Sequence, residues 1–364
     1  MYSATEFERL LAGVRGMQAA EFRQRGALAT IVRTHGSTFR RAGASLLVHD
    51  NGGVVCALSG GCPENDIVER AKKVIEGDIP QIARYNDESA GDVLFEAGCG
   101  GELDVLIEPL SKPSDVRFFD ALAQMHAQRC AGFMATAYAL QDAPLLPRPR
   151  RLIWNGNVAW SDIEDAELSD AVTAVGVDLP QAARGVAQCV QTVRGRYDVL
   201  FETVRPAHAL VVIGANPVAL ALVRCATALG WKTILVDQRD LAFTLPAGAH
   251  FVKATPATVL QNIPFDAYSS ALAMTFNVER DIEWLDVLAD APLVYLGAIG
   301  SRERATRMRA ALAGKGTHLY APAGLDIGSE TPEEIALAVS AEILAVLNAR
   351  EGRSLLNSGT PIHP

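Results

Sequence analysis

The chain has 364 residues, of which 49% are hydrophobic and 21% charged, so it can form several domains and is not extensively disordered. Its formal net charge is −9 and it has no long basic run, which argues against a nucleic-acid partner. The N-terminus lacks a signal-peptide pattern, and no apolar run approaches the roughly 20 residues that span a bilayer. We therefore expect a cytoplasmic protein with no membrane partner.

The first hundred residues predict a mixed domain of short strands and helices. Phe7, Leu10, Leu11 and Val14 recur at helical spacing, which predicts a helix over 4–25. Short β-like runs bounded by glycine or Asp-Asn-Gly follow, with one helix among them and a hairpin turn between the second and third strands. The predicted strands are 27–32, 44–49, 54–58 and 103–107, and the helix is 63–76.

The stretch 111–205 has a less regular pattern. It predicts a helix at 116–128 and a strand at 132–140, followed by a proline-rich bend at 144–149. Further strands are expected around 151–160 and 197–204. We assign residues 1–205 to one N-terminal α+β domain.

From residue 207 the pattern changes to alternating strands and helices. The continuous apolar run Ala209–Ile213 is typical of a strand buried on both faces. Repeated β–α units predict an α/β fold with a Rossmann-like, doubly wound parallel sheet over residues 206–350, followed by a tail at 351–364. The further strands are expected at 233–236, 270–274 and 293–296, and the helices at 217–229, 279–288, 302–312 and 332–347.

The turn after the first of these strands resembles a dinucleotide fingerprint. Gly214–Ala219 approximates the pattern G-x-G-x-x-G/A, and Asp237 ends the next strand, where a carboxylate can bind ribose hydroxyls. Gly214 and Asp237 are therefore candidate nucleotide-binding residues. Asn216 replaces the middle glycine and Pro217 lacks an N–H donor, so an ordinary strand–helix turn is the alternative.

Two glycine-flanked cysteines are the strongest candidates for chemistry in the N-terminal domain. Cys62 lies between a strand and a helix, where a helix N-terminus favours thiolate. Such a thiolate can bind a soft metal or carry a persulfide. A buried tight turn is the alternative for both. The candidate binding residues of these two loops are Gly60, Gly61, Cys62, Cys99, Gly100 and Gly101.

A third loop, Gly36–Arg41, places two arginines and two hydroxyls before a strand. Arg40 and Arg41 present donor forks that suit an anionic ligand such as phosphate. A solvated basic turn is the alternative.

The order of these motifs resembles that of the XdhC/CoxI family. The run Gly36–Ala44, the S-G-G-C loop at Cys62 and the C-G-G loop at Cys99 are similar to the N-terminal domain of that family. Tyr295–Arg302 looks like its Y-x-G-x-x-G-S-R signature, and Gly324–Ala336 is similar to its G-L-D-x-G-x-x-T-P-x-E-I-A block. One departure is Thr275-Phe276-Asn277, where many members read Thr-His-Asp.

The resemblance implies a chaperone that binds molybdenum cofactor, protects it during sulfuration and inserts it into a xanthine dehydrogenase-like hydroxylase. The cofactor is molybdopterin, either plain or as the cytidine dinucleotide. Cys62 is then the cofactor-linked cysteine and metal ligand. Independently of the resemblance, loops at the carboxyl ends of strands line the ligand crevice of a Rossmann-like sheet, which makes Ser301 and Arg302 candidate binding residues. An ordinary turn after a strand is the alternative for 297–302. The implied partners are a molybdenum hydroxylase apoenzyme and a cysteine desulfurase, and a homodimer is left open.

Two other functions stay open at this stage. The Rossmann-like domain is also compatible with an NAD(P)-dependent oxidoreductase, or with an enzyme that modifies the pterin by nucleotidyl transfer. The degraded fingerprint argues against the oxidoreductase. The histidines lack the spacing of a zinc hydrolase, and we expect an accessory protein without turnover.

Overall fold

The computed structural model describes residues 4–36, 38–58, 62–85, 101–179, 185–315 and 318–357, with Cys62 described by its backbone alone. The chain divides into two compact units, Met1–Pro206 and Ala207–Pro364. Among the described residues, no helix is both long and apolar enough to cross a membrane.

The described residues of the first unit form two antiparallel five-stranded sheets with helices. This arrangement confirms the predicted α+β class of the N-terminal half. In chain order the elements are α1 (Ala4–Ala19), β1 (Gly26–His35), β2 (Ser45–His49), β3 (Val54–Val55), α2 (Cys62–Gly77), β4 (Gln81–Tyr85), β5 (Glu102–Leu110), a 3-10 helix (Pro113–Val116), α3 (Arg117–Ala127), β6 (Gly132–Leu140), β7 (Leu145–Trp154), β8 (Val158–Ser161), α4 (Ala166–Asp178), β9 (Gly185–Thr192) and β10 (Gly195–Val204).

The two sheets of this unit pack face to face. The first has the order β3-β2-β1-β5-β4 and the second the order β8-β7-β6-β10-β9. Val32 and Leu106 of the first sheet pack against Tyr138 and Leu200 of the second. Because successive side chains of a strand alternate between faces, the other face of each sheet is free to bury a helix. α2 covers the first sheet and α4 the second.

The predicted proline-rich bend at 144–149 is wrong, because β7 runs through it. The pairing of β7 with β6 shifts register between Ala137 and Ala139, so Pro147 and Pro149 lie in an irregular part of the ladder. On the other side, β8 pairs only with Leu152–Trp154. Neither β6 nor β8 therefore accepts a ladder hydrogen bond at the positions of these prolines, so β7 can contain them. The elements β4, α4 and β9 were not predicted.

The second unit is a six-stranded, all-parallel sheet with the order β13-β12-β11-β14-β15-β16, which confirms the Rossmann-like prediction. The order reverses beside β11, so the crevice where such folds bind ligands lies at the carboxyl ends of β11 and β14. Its elements are β11 (Ala209–Ile213), α5 (Pro217–Ala228), β12 (Lys232–Asp237), β13 (Ala249–Lys253), α6 (Val259–Asn262), β14 (Ser269–Ala273), α7 (Val278–Leu288), β15 (Tyr295–Ala298), α8 (Arg302–Ala311), β16 (Leu319–Tyr320) and α9 (Pro332–Leu347).

Candidate functional site

The described residues on either side of positions 59–61 are joined by a hydrogen bond. Cys62 is the first residue of the 16-residue helix α2. The backbone N–H of Leu58 donates to Oε2 of Glu64 in the first turn of that helix, at 2.9 Å. The backbone of Cys62 therefore lies at the positive end of a helix dipole, where an anion is stabilised. Gly60, Gly61, Cys99, Gly100 and the side chain of Cys62 lie outside the described residues.

Arg40 lies beside the chain that leads into this turn. One guanidinium nitrogen donates to Oε1 of Glu6 on α1 at 2.6 Å, and another donates to the carbonyl of Ala57 at 3.3 Å. Its charge is thus already balanced by a carboxylate. Arg40, which lies in the predicted anion-binding loop, therefore links α1 to the segment before Cys62.

The other two candidates of this region, Arg41 and Gly101, are among the described residues. Arg41 is partly buried, and its carbonyl accepts from the N–H of Ala44 in a tight turn. Gly101 directly precedes β5.

Cys56 lies near Arg40, because both residues contact Glu6 on α1. Its thiol donates to the carbonyl of Glu6 at 3.7 Å. Burial and the nearby Glu6 carboxylate raise the pKa of the Cys56 thiol, so it stays protonated. Cys56 therefore lacks the thiolate character that is expected at Cys62.

In the second unit, Asp237 is joined to the turn after Gly214. Its Oδ2 accepts from the backbone N–H of Ala215 at 2.8 Å, and Arg239 donates to both oxygens from its backbone and side chain. Burial alone would raise the pKa of Asp237, but the bonds from Arg239 and Ala215 outweigh burial and lower it. The carboxylate acceptors predicted to bind a ribose are therefore used within the protein.

Asn216 fills the position of the missing fingerprint glycine with a defined structural role. Its Oδ1 accepts from the N–H of Ala219 and so caps α5, and its Nδ2 donates to the carbonyl of Met274 at 2.7 Å. Gly214 has a φ of 104°, and a Cβ there would lie 2.9 Å from the Met274 carbonyl oxygen. The turn is thus closely packed against the end of β14.

A buried carboxylate that sequence reasoning missed lies at the same edge of the sheet. Asp281 on α7 is fully buried and accepts from the N–H and hydroxyl of Thr275. Its other oxygen accepts from Arg304 of α8 at 3.1 Å. Ser301 caps α8 by accepting from the N–H of Arg304, while Arg302 is exposed. Arg304 is thus engaged by Asp281, whereas Arg302, at the start of α8, is exposed to solvent.

One residue from each of the two sequence signatures of the C-terminal half donates a hydrogen bond to Glu342 on α9. The hydroxyl of Tyr295 donates to Oε2 of Glu342 at 2.6 Å, and the N–H of Gly324 donates to the same oxygen at 2.9 Å. The Tyr295 ring is stacked on Tyr320 with 4.3 Å between centroids. These signature residues therefore have a packing role. Within the described residues, no three His, Cys, Asp or Glu side chains are grouped so that they could hold a metal ion.

Comparison with known proteins gives a consistent family assignment. Residues 19–86 match the XdhC and CoxI family, and residues 210–343 match the XdhC Rossmann domain, so together the matches cover more than half of the chain. A Bacillus subtilis (strain 168) protein, named as a probable subunit of xanthine dehydrogenase, is 28% identical over 332 residues, which are 89% of this chain and 94% of that protein.

Two further matches, one in sequence and one in structure, support more limited conclusions. The Escherichia coli (strain K12) protein called uncharacterized protein YqeB is 34% identical over 170 residues, or 43% of this chain, and this match spans 30% of YqeB. The crystal structure of a xanthine dehydrogenase from Bacillus halodurans matches with a TM-score of 0.77 and 24% identity, covering 98% of both chains. At that identity the structural match supports the fold alone.

Proposed function

We propose a function from the premise that the family matches establish: this chain belongs to the XdhC and CoxI family. It serves as an accessory protein in the maturation of a xanthine dehydrogenase-like molybdenum hydroxylase. The observation that carries this proposal is the similarity, over 89% of the chain, to a protein named as part of a xanthine dehydrogenase.

In the finer form of the proposal, the chain binds molybdenum cofactor as plain molybdopterin or its cytidine dinucleotide. It shields the cofactor while a cysteine desulfurase provides the terminal sulfur, and then delivers it to the hydroxylase apoenzyme. The bound cofactor supplies the metal and its dithiolene sulfurs. A second copy of the chain, as a homodimer, is compatible with this role.

The described backbone at Cys62 favours an anionic ligand. The positive end of α2 lies at Cys62, and the Leu58–Glu64 hydrogen bond joins the preceding segment to that helix. Arg40 fixes the preceding segment through Ala57. In this proposal Cys62 contributes a thiolate to the metal or carries the sulfur as a persulfide.

The test is to purify the full chain from a host that makes the cofactor, and to measure bound molybdenum and pterin fluorescence. We expect Cys62→Ser to keep the melting temperature and lose most of the molybdenum, with Cys99→Ser intermediate. Cys56→Ser is the first control, because Cys56 lies six residues before Cys62 in the chain. Cys130→Ser, Cys189→Ser and Cys225→Ser serve as further controls.

Cys62→Ser protein that retains full molybdenum and still activates the hydroxylase would contradict the role of this thiol. Loss of activation with molybdenum retained would place Cys62 in sulfur transfer. A chain that never binds molybdenum in any variant would contradict the cofactor proposal while leaving the family intact.

The rival oxidoreductase function has weaker support. Asp237 is engaged by Ala215 and Arg239, and Asn216 occupies the loop where a dinucleotide phosphate would approach. We therefore expect the purified protein to oxidise no common metabolite with NAD or NADP above background. Steady turnover that Gly214→Val abolishes would favour the oxidoreductase.

A further inference from the structure

The interior of the first unit contains three charged side chains from both of its sheets. Glu108 on β5, Arg151 on β7 and Glu202 on β10 are 2%, 5% and 1% exposed. Arg151 donates from its guanidinium to Oε1 of Glu108, across the two sheets. It also lies over the ring of Phe118, 4.0 Å from the centroid. The charge of Glu108 is thus balanced by the guanidinium it contacts.

Glu202 is in a different position, because its Oε1 is buried and has no hydrogen-bond partner among the described residues. It lines an internal cavity of about 10 Å³ together with Thr30, Thr136, Glu108 and Arg151. A cavity of this size has room for about one water molecule. A hydrogen-bond partner for Glu202 can therefore be accommodated without moving either sheet.

The neighbouring elements add negative charge. Asp162, after β8, accepts from the backbone N–H of Arg151. Asp115, in the 3-10 helix, pairs with Arg148 at 3.2 Å, and Arg148 also pairs with Asp78. Among the described contacts, the Arg151 guanidinium donates to Glu108, whereas the buried Oε1 of Glu202 has no hydrogen-bond partner. A carboxylate without such a partner is strongly unfavourable in a dry interior, so burial favours the protonated form of Glu202.

We propose that Glu202 is a buried proton-binding site that holds its proton below neutral pH, and that loss of this proton weakens the packing of the two sheets. Glu108 is the ionised member of the cluster, since it is the one in contact with Arg151. Glu202 in its acid form presents an O–H donor and an acceptor to the cavity, where a neutral, water-sized partner is accommodated. The proposal is independent of the cofactor function.

Burial raises the pKa of Glu202 from 4.5 to about 7; the charges of the N-terminal amine and of Arg151 oppose this rise, and Glu108 adds to it. A raised acid pKa means that the folded state binds more protons than the unfolded state between these two values. Stability from this residue is therefore greatest below about pH 4.5, falls as the pH rises to about 7, and is constant above that.

The test compares the full-length wild type with Glu202→Gln, which mimics the protonated acid. Hydrogen exchange of peptides covering β10 measures the opening equilibrium constant of the first unit. The ratio of this constant, wild type over variant, should rise up to about tenfold per pH unit between 4.5 and about 7, and then stay constant. Asp198→Asn, on the same strand with a surface pairing to Arg33, should show no such change relative to the wild type.

Infrared spectroscopy gives a second readout, because a protonated carboxyl group has a carbonyl band that a carboxylate lacks. We expect that band in the wild type below neutral pH and its loss in Glu202→Gln. If Glu202→Gln does not fold, Glu202→Met also removes the charge and takes its place. A flat ratio across this pH range, or a band unchanged in the variant, would overturn the proposal.

Discussion

Asp237 at the end of β12 accepts a hydrogen bond from the backbone N–H of Ala215, at 2.8 Å, in the turn that follows β11. The two positions are 22 residues apart in sequence. The bond joins the carboxyl ends of two neighbouring parallel strands at the switch point of the sheet. A bound dinucleotide would need both this turn and the Asp237 carboxylate. The hydrogen bond between them therefore indicates that the fingerprint residues have a structural role.

Replacement of Asp237 by alanine should therefore lower the free energy of unfolding of the second unit by about 1–3 kcal/mol, because the Ala215 N–H and Arg239 lose their acceptor. The pKa of Asp237 is lowered in the fold, so its contribution is present above the ordinary aspartate pKa and lost as the pH falls through the folded value. Urea unfolding at several pH values checks both points.

The matched control for this experiment is Asp240→Ala. Asp240 pairs with Lys253, but its side chain is 88% exposed, and an exposed pair contributes about 0–1 kcal/mol. Equal losses from Asp237→Ala and Asp240→Ala would contradict the structural role of Asp237.

Gly214→Ala should destabilise the second unit through two effects. Its φ of 104° is unfavourable for a side chain, and the added Cβ would lie 2.9 Å from the Met274 carbonyl oxygen. Gly314 separates the two effects, because its φ is 96° and a Cβ there meets nothing within 4 Å. We expect Gly314→Ala to cost only the backbone strain, about 1–2 kcal/mol, and Gly214→Ala clearly more. Thermal melting of the two variants side by side measures this, and equal shifts would contradict the close packing at Gly214.

The first strand of the second unit was predicted from sequence more accurately than β7 of the first unit, for a physical reason, while β13, α6 and β16 of the second unit were not predicted. A strand buried on both faces is a continuous apolar run, so the predicted bounds of Ala209–Ile213 agree with β11. β7 carries arginines and prolines on a strand with irregular pairing, which reads as a bend. Secondary structure there depends on the neighbouring strands and not on local pattern.

The hydrogen-bond partners of the candidate residues could not be predicted from the sequence. Gly214 and Asp237 are linked through Ala215. Whether the Asp237 carboxylate can accept from a ligand depends on the position of the Arg239 side chain, which donates to it. The buried cluster was missed entirely, although a glutamate within an apolar strand, such as Glu202 after Leu200 and Phe201, is a usable signal.

Asp281 should be among the most sensitive residues of the Rossmann-like sheet. Asp281→Ala leaves Arg304 without its buried acceptor and Thr275 without two bonds, and we expect a loss of about 3–5 kcal/mol. Glu279 and Arg307 form a second pair between the same two helices, at 2.9 Å, but both side chains are more than half exposed. Glu279→Ala should therefore cost no more than about 1 kcal/mol. Chemical denaturation of both variants gives the comparison, and a small loss for Asp281→Ala would mean that its burial costs offset its bonds.

Tyr295→Phe tests whether the C-terminal signatures act through packing or through a ligand. The variant keeps the ring stacked on Tyr320 but removes the hydroxyl that donates to Glu342, leaving Gly324 as the donor to that oxygen. Burial and Glu342 raise the pKa of Tyr295 well above its ordinary value, so the hydroxyl remains a donor at any working pH. We expect a loss of about 1–3 kcal/mol in the free energy of unfolding. Tyr320→Phe, in the other ring of the stack, is the control and should cost less. Activation of a molybdenum hydroxylase, normalised to folded protein, should be unchanged in both variants. A stable Tyr295→Phe protein that fails to activate the hydroxylase would instead assign the hydroxyl to ligand or partner binding.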